Sequence, residues 1–163
     1  MTTEVHAVDE ALVREFLAGH RIVVVGASEE ERNFGHTIYT ELAKRGYDVV
    51  AVHPTAATCN GDLSYPRMAA VPDGIHGVIV VVNADAALDV VRECIAYGVP
   101  RIWLFKGIGG RGAVSDDAVA LCEKNGVAVI PGACPLMFLE PVAWIHRVHR
   151  AVRHAKGTLI KAA

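Results

Sequence analysis

The stretch RIVVVGASEEERNFG, residues 21–35, decides the fold of this chain. Residues 22–25 form an unbroken apolar run with three valines. Continuous apolarity over strand length reads as a strand buried on both faces, as in a parallel sheet. The run stops at Gly26-Ala27-Ser28, a polar loop follows, and a helical pattern runs from His36 to Arg45 after Asn33-Phe34-Gly35. Strand, glycine turn and helix are the opening half of a βαβ unit. In such a unit the loop and the helix N-terminus offer backbone N–H groups to an anion, usually a phosphate. The spacing is not GxGxxG, because the next glycine after Gly26 is Gly35. The stretch therefore sets the architecture and leaves the ligand open.

Outward from it, strands and helices alternate. A short helix over 9–18 precedes the first strand, with Val8, Leu12, Phe16 and Leu17 near one face, packed at the sheet margin. After the helix at 37–45 come strands at 48–52, 77–82, 101–105 and 127–130, with a short edge strand at 63–65 after the Asn60-Gly61 turn. Further helices are expected at 85–97, capped by Asn83 or Asp85, at 115–125, capped by Ser115, and at 139–154. The last is read as basic on its exposed side. This alternation predicts a single α/β domain over residues 1–163, core 19–135. Its form is a Rossmann-like, doubly wound, mostly parallel sheet with helices on both faces. The expected strand order is 3-2-1-4-5-6 with strand 3 short. One rim then carries Gly26, His53, Asn83, Lys106 and Cys134, and the ligand crevice lies between strands 1 and 4.

Composition narrows the partners. Sixteen Lys and Arg against 18 Asp and Glu give a formal charge of −2, with no basic excess to attract nucleic acid or anionic lipid. The N-terminus carries acids and no apolar core segment, and the apolar runs are too short to span a bilayer. Cys59, Cys94, Cys122 and Cys134 are scattered without a CxxC pair, which points away from zinc or a dithiol and toward the cytoplasm.

The end of the second strand bears on the ligand. An NAD site places Asp or Glu there to receive the ribose hydroxyls. This chain has Val52-His53-Pro54, with no carboxylate. A histidine suits a ribose that carries a phosphate, which leaves NADP or coenzyme A; His53 as a mere strand-end residue is the competing reading.

With these residues in view, the chain resembles the small stand-alone CoA-binding proteins, relatives of the CoA-binding domain of the succinyl-CoA synthetase alpha subunit. The matching pieces are VVVGAS at 23–28, RGYDVVAVHP at 45–54, GDLSYPRMAAVP at 61–72, VIVVVN at 78–83, IWLFKGI at 102–108 and VIPGACP at 129–135. The resemblance implies CoA, free or acylated, lying across the crevice between strands 1 and 4. Gly26, Ala27 and Ser28 would hold phosphate, with Asn33 and Gly35 at the helix start. His53 and Pro54 would flank the adenosine, Val82 and Asn83 would line the pantetheine path, and Lys106, Gly107 and Ile108 would complete the rim. The chain departs from the family pattern at His53, Asn83 and Lys106. It also sets Glu29-Glu30-Glu31 beside the phosphate loop, where an anion requires them to turn outward.

Catalytic machinery is not evident. HExxH, GxSxG and GxxxxGK[ST] are all absent. His146, His149 and His154 read as a polar helix face rather than a metal site, and that helix is a candidate homodimer contact. Cys134 is the one thiol expected on the ligand rim, either to form a mixed disulfide with CoA or as a small buried apolar residue. The sequence therefore supports a CoA or acyl-CoA binding protein acting as sensor, carrier or regulatory partner. Its rivals are an NADP-linked oxidoreductase and an interaction module with a vestigial pocket.

Overall fold

The computed structural model describes residues 6–107, 112–140 and 144–160, with the side chains of 144–146 and 149 left out. The elements in order are β1 (Val8–Asp9), α1 (Glu10–Ala18), β2 (Arg21–Val25), α2 (Phe34–Lys44), β3 (Asp48–Val52), β4 (Thr58–Cys59) and β5 (Asp62–Tyr65). There follow β6 (Gly77–Val80), α3 (Ala84–Tyr97), β7 (Arg101–Leu104), α4 (Asp116–Lys124), β8 (Ala128–Pro131), α5 (Trp144–Ala155) and β9 (Leu159–Ile160). The main sheet has the order β4-β5-β3-β2-β6-β7-β8. All its pairings are parallel except β4 with β5. The order expected for the six long strands is thus present, and the chain reverses direction across the sheet between β2 and β6.

The valine-rich strands show why both faces are helix-covered. Alternate side chains of a strand point to opposite faces. Ile22, Val24, Ile79 and Trp103 face one side, where Phe16 of α1 and Ile38, Tyr39 and Leu42 of α2 pack on them. Val23, Val25, Val78, Val80, Ile102 and Leu104 face the other, under Ala87, Val91 and Cys94 of α3 and Val119 and Cys122 of α4. Helix starts follow their caps: Asp9, Asn33, Asn83 and Ser115 each accept a first-turn N–H.

Four features differ from or add to the sequence reading. The short edge strand belongs to a hairpin: Cys59 pairs with Asp62 across Asn60-Gly61, at φ 52° and 80°. That is the two-residue turn such a dipeptide favours. A second, two-stranded parallel sheet joins Val8 to Leu159, through segments too short to read as strands. Helix α1 packs over the edge strand β8, at the margin, and also reaches inward. Phe16 packs edge-on against Trp103, with centroids 5.4 Å apart, and its ring covers Gly77, where a Cβ would come within 2.8 Å of the ring. Val13 is buried, while Leu12 and Leu17 are only partly so. Finally, α5 begins at Trp144 after a turn at Pro135–Met137, and its exposed side is not simply basic. Arg150 and His154 turn to the buried Glu10, at 2.9 and 3.0 Å, while Val148 and Val152 face solvent. A buried carboxylate must be paired, and Glu10 draws the basic residues inward.

Candidate functional site

The carboxyl ends of β2 and β6 meet at a glycine. Gly26 has φ +98°, and a Cβ there would strike the Val81 carbonyl. Its N–H donates to the Val52 carbonyl at 2.8 Å. Gly35, in the first turn of α2, sits on this loop: a Cβ on it would come within 2.7 Å of the Gly26 carbonyl carbon and 2.9 Å of the Ala27 nitrogen. The two glycines let the helix start directly above the strand end, the close approach a phosphate-binding turn needs.

Beside this seam lies a cleft of about 570 Å³. One wall is Glu30, Arg32, Asn33 and Phe34 from the loop and the start of α2; the opposite wall is Val81, Val82, Asn83 and Ala84. Phe105, Gly107 and Gly112 close the β7 end. Two helix N-termini therefore converge on one cavity, each with the positive end of its dipole toward it. Asn33 accepts from Gly35 N–H at 2.6 Å and Asn83 from Ala86 N–H at 2.9 Å. The other first-turn amides lack intrahelical acceptors and suit an anion. Phe34, 61% exposed, leans on the buried Phe105 with centroids 5.4 Å apart. The cleft thus offers anion-binding ends, an aromatic wall and a valine-lined path.

Among the expected residues, Asn33, Val82, Asn83 and Gly107 line the cleft. Gly26, Ala27 and Gly35 build the seam at its base. Ser28 is buried; its Oγ accepts from Glu30 N–H at 3.3 Å, and its carbonyl accepts from His36 Nδ1 at 2.7 Å and from the Cys59 thiol at 3.3 Å. His53 and the exposed Pro54 lie one strand away, at the end of β3. His53 Nδ1 accepts from the N–H groups of Thr55 and Ala56, at 3.2 and 2.9 Å, which leaves Nε2 to carry the ring proton. Lys106 joins the β8 loop through its N–H to Ala133 O, at 3.1 Å. Ile108 lies outside the described residues. Phe34, Phe105, Val81, Ala84 and Gly112 enter the cleft without having been singled out; an apolar Phe directly after the Asn33 cap was the available signal.

The three acids divide. The Glu29 carboxylate accepts from Gly61 N–H at 2.9 Å, and this bond, followed by one from Thr58, holds its pKa below the ordinary carboxylate value. It is turned to the hairpin, not to the cleft. Glu30 lines the cleft together with Arg32, so it does not turn away as an anion there requires, and Glu31 is exposed.

Cys134 is 5% exposed and belongs to the core behind the rim. All four cysteines are free and buried. Burial pushes Cys59, Cys122 and Cys134 up to about 11 and Cys94 to about 12, from 9.0. A neutral thiol held in the fold means the unfolded chain loses its protons first as pH rises. These groups therefore contribute stability fully below about pH 9 and progressively less above it. The thermal midpoint should fall between pH 9 and 11. An aromatic disulfide reagent at pH 8 should label no thiol rapidly in the native protein and four after denaturation. A native thiol reacting at the rate of free cysteine would contradict this placement.

Among the described residues, no cluster of three or more His, Cys, Asp or Glu side chains could hold a metal, and no helix is long and apolar enough to cross a membrane.

A parallel sheet with an anion-attracting cleft at its reversal point defines a Rossmann-like nucleotide-binding module. The chain belongs to the CoA binding domain family, which it matches over residues 20–140. It is 30% identical over 127 residues to the ADP-forming acetate–CoA ligase I of Archaeoglobus fulgidus, covering 75% of this chain but only 18% of that ligase. Among solved structures it resembles a conserved hypothetical protein from Pyrococcus furiosus, with TM-score 0.65, 26% identity, and 71% and 96% of the two chains covered. It also resembles the dinucleotide-forming acetyl-coenzyme A synthetase 1 of Ca. Korarchaeum cryptofilum, with TM-score 0.58, 27% identity, and 67% of this chain and 25% of that one covered.

Proposed function

We propose that this chain binds coenzyme A or a CoA thioester in the cleft between β2 and β6, as a single domain without catalytic machinery of its own. The observation that carries the reading is the convergence of the α2 and α3 N-termini on a glycine seam at the sheet's reversal point. The diphosphate would sit against the first-turn amides of α2 and α3. The pantetheine arm would follow Val81, Val82 and Ala84. The adenosine would lie toward β3, where His53 Nε2–H would meet the 3′-phosphate. The relation to the CoA-binding domain of the succinyl-CoA synthetase alpha subunit fits this placement. This module would act as a sensor, carrier or regulatory partner in acyl-CoA metabolism, self-associating through the exposed valines of α5.

The test is thermal stability with CoA, acetyl-CoA, dephospho-CoA, NADP and NAD. A ligand at a hundredfold over its Kd adds about 2.7 kcal/mol, a rise of roughly 5–10 °C for a chain of this size. CoA and acetyl-CoA should give it and dephospho-CoA less. Stabilisation by NADP but not CoA would replace this reading with a dinucleotide one; no response to any would favour a vestigial pocket.

A further inference from the structure

The peptide between Ser28 and Glu29 is held from one side. The Ser28 carbonyl accepts from His36 Nδ1 at 2.7 Å and from the Cys59 thiol at 3.3 Å. Because the acceptor is a carbonyl, His36 Nδ1 carries a proton. A carbonyl oxygen has two lone pairs, so both are engaged. The donors come from different elements, His36 from the first turn of α2 and Cys59 from β4. The hairpin grips the next residue as well, since the Glu29 carboxylate accepts from Gly61 N–H at 2.9 Å. The loop is thus anchored at two successive residues by groups that do not line the cleft, just before Glu30 and Arg32, which do.

In a trans peptide the C=O and the following N–H point in opposite directions. Fixing the Ser28 carbonyl therefore turns the Glu29 N–H away from His36 and Cys59. That N–H has no acceptor among the described residues, and neither have those of Ala27 and Ser28. The next amide, Glu30 N–H, is taken by Ser28 Oγ at 3.3 Å. The same peptide turned over would aim a carbonyl oxygen where an N–H now points. An anion is held by an amide N–H and repelled by a carbonyl oxygen, so the orientation of this one peptide decides what the loop offers a phosphate. Resting on the CoA reading above, we infer that His36 and Cys59 are positioning residues for the diphosphate. They act through the Ser28 carbonyl, which sets the Glu29 N–H as a donor to that diphosphate.

Amide NMR of the unaltered protein, saturated with CoA or with dephospho-CoA, is the first test. Both ligands carry the diphosphate, so both should move the Glu29 amide proton downfield. Bound CoA with an unmoved Glu29 amide would overturn the inference, with no variant needed. A shift with CoA alone would overturn it too, because the 3′-phosphate would then be the acceptor. Calorimetric titration of variants is the second test. His36→Ala should weaken CoA about tenfold, as for a lost hydrogen bond to a charged group, and abolish the Glu29 shift. His36→Asn places an amide N–H where Nδ1–H stood and should restore both. Cys59→Ala should weaken CoA about threefold, because a thiol donates weakly, and Cys59→Ser should not. Unchanged CoA affinity in both alanine variants overturns the inference, as does a loss of affinity that leaves the Glu29 shift in place. If CoA binds while the Glu29 amide stays still, only this inference fails; if CoA does not bind, the reading beneath it fails as well.

Discussion

Gly26→Ala should cost about 3 kcal/mol or more, lower the thermal midpoint by roughly 10 °C, and leave any folded protein unable to hold the cleft's ligand. Two penalties act together. At φ +98° an L side chain is strained. The added Cβ also meets the Val81 carbonyl, which is main chain and cannot swing aside. Moving that carbonyl disturbs the Val81 N–H bond to Val25 O, at 2.8 Å, and the wall that Val82 and Asn83 present to the cleft. Gly46→Ala is the control. Its φ is +84°, but nothing lies within 4 Å of the new Cβ. It should cost only the backbone term, about 1 kcal/mol. Urea unfolding of both variants measures the difference. Equal losses would show that the steric seam between β2 and β6 contributes nothing.

Trp103→Ala should destabilise by about 4 kcal/mol. Trp103 is fully buried on β7, next to the edge strand β8, edge-on to Phe16 and tilted against Phe138 at 5.9 Å. Its indole N–H donates to the carbonyls of Gly132 and Ala133, at 2.8 and 3.2 Å. Truncation therefore opens a cavity and orphans the loop that supports Lys106. Trp103→Phe keeps most of the ring and loses the donor, and should cost about 2 kcal/mol. A Phe variant as unstable as the Ala variant would mean the hydrogen bonds, not the packing, dominate. Unfolding curves followed by far-ultraviolet circular dichroism distinguish the two.

Why some of this was legible in the sequence is a matter of periodicity. The runs at 22–25 and 77–80 are apolar at every position because both sheet faces are covered, so strand, burial and parallel pairing could be read together. Asn83 and Ser115 marked helix starts because an amide or hydroxyl before an apolar pattern accepts a first-turn N–H, while the Asn33 cap of α2, three residues ahead of the helical pattern, was not read. The β1–β9 pair was not legible: two residues carry no period, and their pairing depends on the chain's ends meeting. The inward turn of Arg150 and His154 was hidden for a similar reason. Glu10 reads as an ordinary first-turn acid, and only tertiary packing buries it. In the site, the glycine seam and the missing carboxylate at His53 could be read locally. The Phe34–Phe105 wall could not, since it joins residues from two loops. The direction of Glu29 followed from the Asn60-Gly61 hairpin, whose Gly61 amide supplies its partner.

Calorimetric titration of the unaltered protein with CoA shows directly whether the cleft at the β2–β6 reversal holds coenzyme A. Saturable one-to-one binding that weakens on removal of the 3′-phosphate and is lost in Gly26→Ala is the expected result. A flat titration with CoA, from protein shown to be folded, would contradict it.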